Sequence, residues 1–508
     1  MAPPTGRRLT ILAALFALVA IAAGCAVGPD FQRPPAPSVE RYTFEPAPAA
    51  TLAADGQAQR LHPGARIAAE WWRLFGSPQL DAVVREAHAH NQDLRAAQAS
   101  LRVSQENLRA GYGLFLPQLD ASFDPTRQKF SPSRFGSTAA SSIFNFYSLA
   151  GTLGYVFDVF GGNRRTLEGL EAQVDYQRYS VQATYLTLLS NVVGATIAQA
   201  AYWSQLKALE QIIAVQEQQV RLTEAQAQAG LVPEVNVLSL RSQLAATQAT
   251  LPPLRQSLSQ SEHLLATLVG RAPAEWAPTP LDLDSLRLPA DLPVTLPSEL
   301  VRQRPDILAA EALLHGASAN IGVATANLLP RLSLSATYGV NSTSLSSLFK
   351  SSSIYWSLGG DVTAPLFHGG TLWFQRRAAI EAYQQSLAGY QQVVLGAFAQ
   401  VADALRALEH DAQAVAAQAA ALAAAEQTLA LVQANYEAGT ADYLQLLSAT
   451  RQYQQARINH LQARALRLQD TVALFVALGG GWWDAEKGPP GAPQAERPAS
   501  PAPQPPAQ

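Results

Sequence analysis

Cysteine is nearly missing from this 508-residue chain: Cys25 is the only one. That excludes an internal disulfide framework and any multi-cysteine zinc or iron–sulfur site. Charge is scarce too, at 15% of residues, where an ordinary soluble domain carries about 25%. A net charge of −3 and a pI near 6.3 leave no basic footprint, so no nucleic-acid partner is expected. The eight histidines are scattered, and the closest pair, His88 and His90, stand two apart in a helical pattern and face different ways. No metal site follows from them. Gly161-Gly162 and Gly369-Gly370 lack the lysine of a phosphate loop and read as strand-to-helix corners. Asp, Glu and His form no convergent set, so the chain is not expected to be an enzyme. Beyond the N-terminal leader no run of about 20 apolar residues occurs, which predicts no spanning helix.

The leader itself is informative. Arg7 and Arg8 precede an apolar run from Leu9 to Val19, and Ala22-Ala23-Gly24 lead to Cys25. That order is a secretory signal, expected over residues 1–24. The boundary resembles a bacterial lipobox, with Ala22 where Leu is favoured. The resemblance implies a covalent lipid on Cys25, N-acyl and S-diacylglycerol, with no other cofactor. Ala26 rather than Asp follows it, which by the same resemblance implies the Gram-negative outer membrane.

Proline and alanine dominate from Val27 to Ala65 and again in a linker, 272–297, while 483–508 is a Pro/Ala-rich tail expected to be disordered. The segment 25–79 is thus an extended N-terminal piece. The remainder, 80–271 and 298–482, is a duplication. At an offset of 213, Glu86 matches Glu299, Asp93 matches Asp306, Leu101 matches Leu314, and Pro117 matches Pro330. At an offset of 209, Gly230 matches Gly439, Leu238 matches Leu447, Ser239 matches Ser448, and Gly270 matches Gly479. The shift falls in loop-rich sequence, where length changes are tolerated.

Each half predicts a helix (Leu80 to about Gly111; about Pro305 to Asn327), then two strands. The strands are Leu116–Asp124 and Leu149–Val159 in the first half, Leu332–Val340 and Ile354–Phe367 in the second. Alternation puts Leu332, Leu334, Ala336 and Tyr338 on one side and Ser333, Ser335 and Thr337 on the other. Tyr355 and Trp356 are expected at a lipid interface. No breaker interrupts 163–229 or 371–438, so each predicts one helix of roughly 100 Å. Leu167, Leu170, Val174, Val181, Tyr185, Leu188 and Val192 mark a heptad seam that demands partner helices. Gly230 and Gly439 predict left-handed caps, after which each half turns back into one further helix of about 38 residues. Four strands cannot close a barrel, which starts at about eight, and an open edge is not tolerated in lipid. Strands must therefore be pooled among copies; spacing does not choose between two copies and three.

Several stretches are family marks: CAVGPDFQRP from Cys25, RPDI from Arg304, the Leu-Pro turns at Pro117 and Pro330, AGLVPEVNVL from Ala229, and AGTADYLQLLSATR from Ala438. In that order, across residues 25–482, they resemble the outer-membrane factors, the TolC-like ducts of tripartite efflux systems, in their NodT-type lipoprotein branch. The resemblance implies a mainly α fold with a membrane β-barrel: a homotrimeric duct with four strands per chain, 12 in all, a long periplasmic helical tube, and an equatorial belt holding the linker. It implies a passive exit channel for drugs or other small solutes. The implied partners are a periplasmic adaptor (membrane fusion) protein and a proton-driven RND-type inner-membrane pump. A duct for protein or peptide secretion and a non-transporting coiled-coil lipoprotein scaffold are the alternatives. Residue by residue, the resemblance places a pore constriction at Leu444, Gln445, Ser448 and Arg451, with Gln445 and Ser448 where well-known members carry Asp. It places adaptor docking at two tips, Gly230, Leu231 and Val232, and Gly439, Thr440 and Ala441. The paired Arg304 and Asp306 suggest catalysis less than the start of a helix, with Pro305 first and Asp306 favouring its dipole.

Overall fold

The computed structural model describes residues 26–131, 136, 138 and 140–482. The expected signal (1–24), the expected lipid attachment at Cys25 and the expected tail (483–508) lie outside the described residues. In chain order the elements are β1 (Arg60–Pro63), α1 (Pro78–His90), α2 (Gln92–Gly111), β2 (Gln118–Phe130), β3 (Ser142–Phe157), α3 (Gly162–Gln228), α4 (Glu234–Gln248) and α5 (Leu251–Leu268). Then follow β4 (Asp291–Val294), α6 (Pro297–Gln303), α7 (Pro305–Ala326), β5 (Arg331–Ser342), β6 (Ile354–Thr363), α8 (Thr371–Glu437) and α9 (Tyr443–Ala477).

The chain divides into two compact units. The sheet unit holds Met1–Pro34, Ser100–Arg178 and Ala309–Gln391; the helical unit holds Pro35–Ala99, Tyr179–Leu308 and Gln392–Gln508. In the sheet unit four strands run antiparallel in the order β2-β3-β5-β6, leaving β2 and β6 as edges. The strands differ in length from the sequence expectation. Between the two strands expected in the first half, the Ser-, Asn- and Phe-rich sequence, expected as a loop from Pro125 to Tyr147, is paired at both ends, from Pro125 opposite Tyr147 to Phe130 opposite Ser142. Irregular hydrophobicity hid it; the partner strand supplies the order.

The helical unit packs its core around Trp71, Phe75, Leu80, Leu265, Leu283, Leu292, Leu300 and Phe475, all fully buried. Trp71 stacks on Phe475, ring centroids 5.1 Å apart. The N-terminal segment is not wholly irregular: β1 pairs with β4 of the linker in a small parallel sheet, Arg60 opposite Asp291.

Three further expectations are corrected. The first helix is two, because Asn91 is extended between α1 and α2 (ψ 130°) and caps the second with a side-chain bond from the Leu94 N–H at 2.9 Å. The return helix after Gly230 is two also, α4 and α5, since Pro252 and Pro253 cannot donate to the preceding turn. Its counterpart α9 lacks proline and stays whole. Finally, α3, α7 and α8 do contain 18-residue windows apolar enough, by length and composition, to cross a bilayer, with mean hydropathy of 1.2 to 1.4. Alanine supplies that hydropathy between isolated polar residues, so no continuous run betrays it. In α8 only 11% of the window is buried within the chain, against 56% in α7.

Candidate functional site

The sheet carries two chemically distinct faces. Because side chains alternate, pairing aligns Leu119, Leu153, Ala336 and Leu358 in one cross-strand row and Ala121, Gly151, Tyr338 and Trp356 in the next. Phe123, Leu149, Val340 and Ile354 extend the same face. Large side chains on it are exposed in the single chain, Trp356 to 73%. The opposite face has the rows Asp120, Thr152, Thr337, Ser357 and Asp124, Ser148, Asn341. Asp361 stands there opposite Ser333, and Arg331 opposite Thr363. Apolar outside and polar inside is the pattern of a barrel strand. Tyr355 falls on the polar face, its hydroxyl 3.5 Å from that of Ser148, so only Trp356 of the expected pair lies on the apolar side.

The run after Cys25 is fastened to this unit. The Val27 N–H donates to the Phe160 carbonyl at 3.0 Å. Buried Arg165 donates to Asp30 and Glu168, both at 2.7 Å, and to the Val27 carbonyl at 3.1 Å. Phe31 stacks on His315 at 4.4 Å. Gly28, in the left-handed region at φ +96°, lies so close to Gly322 that a Cβ would stand 2.4 Å from its Cα. Glycine and the neighbouring Asp and Phe are thus required by contact, a role that spacing alone did not reveal.

In the helical unit, both Ala-Gly turns have the expected left-handed glycines. Gly230 has φ +73° and Gly439 +75°. Each closes a Schellman motif: the Leu231 N–H reaches the Gln226 carbonyl at 2.9 Å, and the Thr440 N–H reaches that of Asn435 at 2.8 Å. Beneath the turns Val220, Leu240 and Tyr443 form a small core with Leu244, Tyr436 and Leu447. Leu231 is exposed, as is Leu444, to 69%. Asp442 and Gln445 form a capping box at the start of α9, so the Gln445 amide closes the helix end while the residue stays exposed. Ser448 lies one turn on from Leu444 along α9. Arg451 continues that side but donates from Nε to the Gln243 Oε1 of α4.

Arg304 and Asp306 do start a helix, as expected. Arg304 Nε donates to Asp306 Oδ1 at 2.8 Å, and the same carboxylate accepts the Ile307 N–H at 2.9 Å. What the sequence did not show is the reach of the buried guanidinium to the Ala477 carbonyl, 2.9 Å away. Among the described residues no group of three or more His, Cys, Asp and Glu is placed to hold a metal.

This architecture is that of outer-membrane channels. The solved outer-membrane channel OprN superposes with a TM-score of 0.80 at 29% identity, covering 90% of this chain and 100% of that one. The sequence profile of the family described as outer membrane efflux protein matches twice, over 83–271 and 296–480, and the chain belongs to that family. Among its relatives is the pyoverdine export outer membrane protein OpmQ of Pseudomonas aeruginosa, 32% identical over 448 residues, 86% of this chain and 93% of the relative. The probable outer membrane lipoprotein SilC of Salmonella typhimurium is 28% identical over 469 residues, 91% of this chain and 97% of that protein. The protein is an outer-membrane efflux channel, the exit component of a tripartite pump.

Proposed function

We propose that three copies join their sheets edge to edge into a 12-stranded barrel through which drugs or other small solutes leave passively. The observation that carries this is a sheet with an apolar face and two unpaired edges, β2 and β6. In lipid such edges must find partners, and a second and third copy offer the same edges. The exposed apolar window of α8 gives the copies helical surface to share as well. A cysteine pair placed across β6 of one copy and β2 of the next should cross-link into a trimer in membranes; a ladder ending at the dimer would overturn this stoichiometry.

The turns at Gly230, Leu231 and Val232 and at Gly439, Thr440 and Ala441 are, in this reading, where a periplasmic adaptor docks, and the pump behind it is proton-driven. Leu444, Gln445, Ser448 and Arg451 form the constriction, with the exposed Leu444 side chains as its seal. Cys25 carries N-acyl and S-diacylglycerol groups. The strap from Ala26 to Arg33 supports this: it fixes the residue after the cysteine at the β3–α3 corner, where a Cβ on Gly161 would stand 2.5 Å from the Ala26 Cα. Mass spectrometry of the mature N-terminus tests the lipid, and an unmodified Cys25 would refute it. The name of OpmQ assigns it pyoverdine export, which favours small solutes over proteins as cargo.

A further inference from the structure

We infer that Asp411 of α8 and Asp470 of α9 form a proton latch, holding the two helices together while Asp411 carries a proton and loosening them when it ionises. Asp411 is 7% exposed. With both carboxyls ionised, its Oδ2 has no hydrogen-bond donor among the described residues. The two carboxyls are nevertheless within hydrogen-bonding reach of each other, and two carboxylates can bond only through a proton. A buried, unpaired carboxylate with a like charge at that range is too costly to persist.

The obvious neutralising group is partly engaged elsewhere. Arg467, one turn before Asp470, is 3% exposed and its charge does act on Asp411. Its Nε and Nη2 groups, however, are engaged by the N-terminal segment: Nε donates to Gln59 Oε1 at 3.2 Å, and Nη2 to Thr51 Oγ1 at 3.2 Å and to the Gln57 carbonyl at 3.3 Å. Its charge is shared with Asp55 of the same segment. Asp55 in turn is held by His460 at 3.0 Å and Arg464 at 3.6 Å, and Arg464 pairs with Asp284 at 2.7 Å. Arg467 and Arg464 therefore each have another claim on them. Burial, aided by Asp470 and opposed by Arg467, pushes the Asp411 carboxyl up to about 7.

A carboxyl raised in the folded state binds its proton more tightly there than when unfolded. The stability it contributes is full at acidic pH, declines as pH rises from about 4 towards neutrality, and is gone above about 7. Since α8 and α9 flank the Gly439 turn and α9 carries Leu444, ionisation frees the pair that bears the proposed seal.

The test is an infrared titration of the full-length, membrane-extracted protein between pH 5 and 8.5. A protonated-carboxyl stretch should disappear near neutrality in the wild type, be absent in Asp411→Asn, and vanish at lower pH in Asp470→Asn, where the like charge is gone. Gln59→Ala, which frees Arg467, should also move the titration to lower pH. The heat-dissociation midpoint should fall as pH rises in the wild type and lose that slope in Asp411→Asn. A band and a slope unchanged in both Asp variants would overturn the latch. Should Asp411→Asn not assemble, the Asp470→Asn titration decides alone: a shift to lower pH supports the latch, and an unshifted band overturns it. Conductance rising across neutral pH is the functional consequence and rests on Leu444 being the seal; the infrared and melting results do not.

Discussion

Arg304 donates from Nη1 to the carbonyl of Ala477 across 2.9 Å, joining the start of α7 to the last turn of α9. The first half repeats this join with different chemistry: Asn91 Nδ2 donates to the Leu268 carbonyl at 3.0 Å, at the end of α5. Asn91 and Arg304 are 213 apart, Leu268 and Ala477 are 209 apart, and these are the two offsets of the duplication. In both halves a donor at a helix break satisfies a C-terminal carbonyl that has no partner within its own helix.

Arg304→Ala should therefore cost about 1–3 kcal/mol, the penalty of leaving buried polar groups unmade, and lower the trimer's dissociation temperature. Arg304→Lys should rescue little, because an ammonium cannot reproduce the fork that reaches Asp306, Gln400 and Ala477 together. Asn91→Ala should act in the same direction. Unchanged dissociation in both alanine variants would show that the join contributes nothing to stability.

Leu444→Ser should open the duct. Asp442 and Gln445 fix the first turn of α9, through a 2.8 Å bond from the Gln445 N–H and a 3.3 Å bond back from the Asp442 N–H, and so hold Leu444 outward. An apolar ring seals by excluding water; a hydroxyl admits it. Expected are larger single-channel conductance and several-fold greater sensitivity of cells to a bulky antibiotic such as vancomycin. A wild-type conductance would place the constriction elsewhere.

Gly439→Val isolates the turn. A Cβ there would meet nothing within 4 Å, so the whole penalty is the left-handed backbone, roughly 1–2 kcal/mol. Efflux should drop while trimer amount and membrane location stay normal. Retained drug resistance would argue that this turn is not where the adaptor docks.

The polar face of the sheet sets a charge prediction. It presents Asp120, Asp124 and Asp361 against Arg331, an excess of negative charge repeated in each copy. Replacing Asp120 and Asp124 together by Asn should reduce cation preference in bilayer recordings. Ser448→Asp should raise it at the proposed constriction. If reversal potentials ignore the Asn pair, the polar face does not line the conduction path.

The expected long helices, 163–229 and 371–438, came within one residue of α3 and α8 at either end, because helix breakers act on their own neighbours. Gly230 and Gly439 were legible for the same reason: a positive φ is a local demand that glycine meets. Strand alternation was readable where Leu and Ser take turns, but not where Phe and Asn crowd 142–146, which pair with β2 alone. At the site, Leu444, Ser448 and the two turns were named by resemblance. The bond from Arg451 to Gln243 was not, since 208 residues separate them.

What the sequence determined by itself was thus the duplication, the long helices and their stops, each fixed by residues a turn or two apart. The tertiary structure alone decided the bond from Asn91 to Leu268, the pairing of β1 with β4, and the engagement of Arg467 by Gln59 and Thr51. Each of these depends on a polar group far along the chain arriving within about 3 Å, and the free energy of a hydrogen bond is gained only when that distant partner is in place.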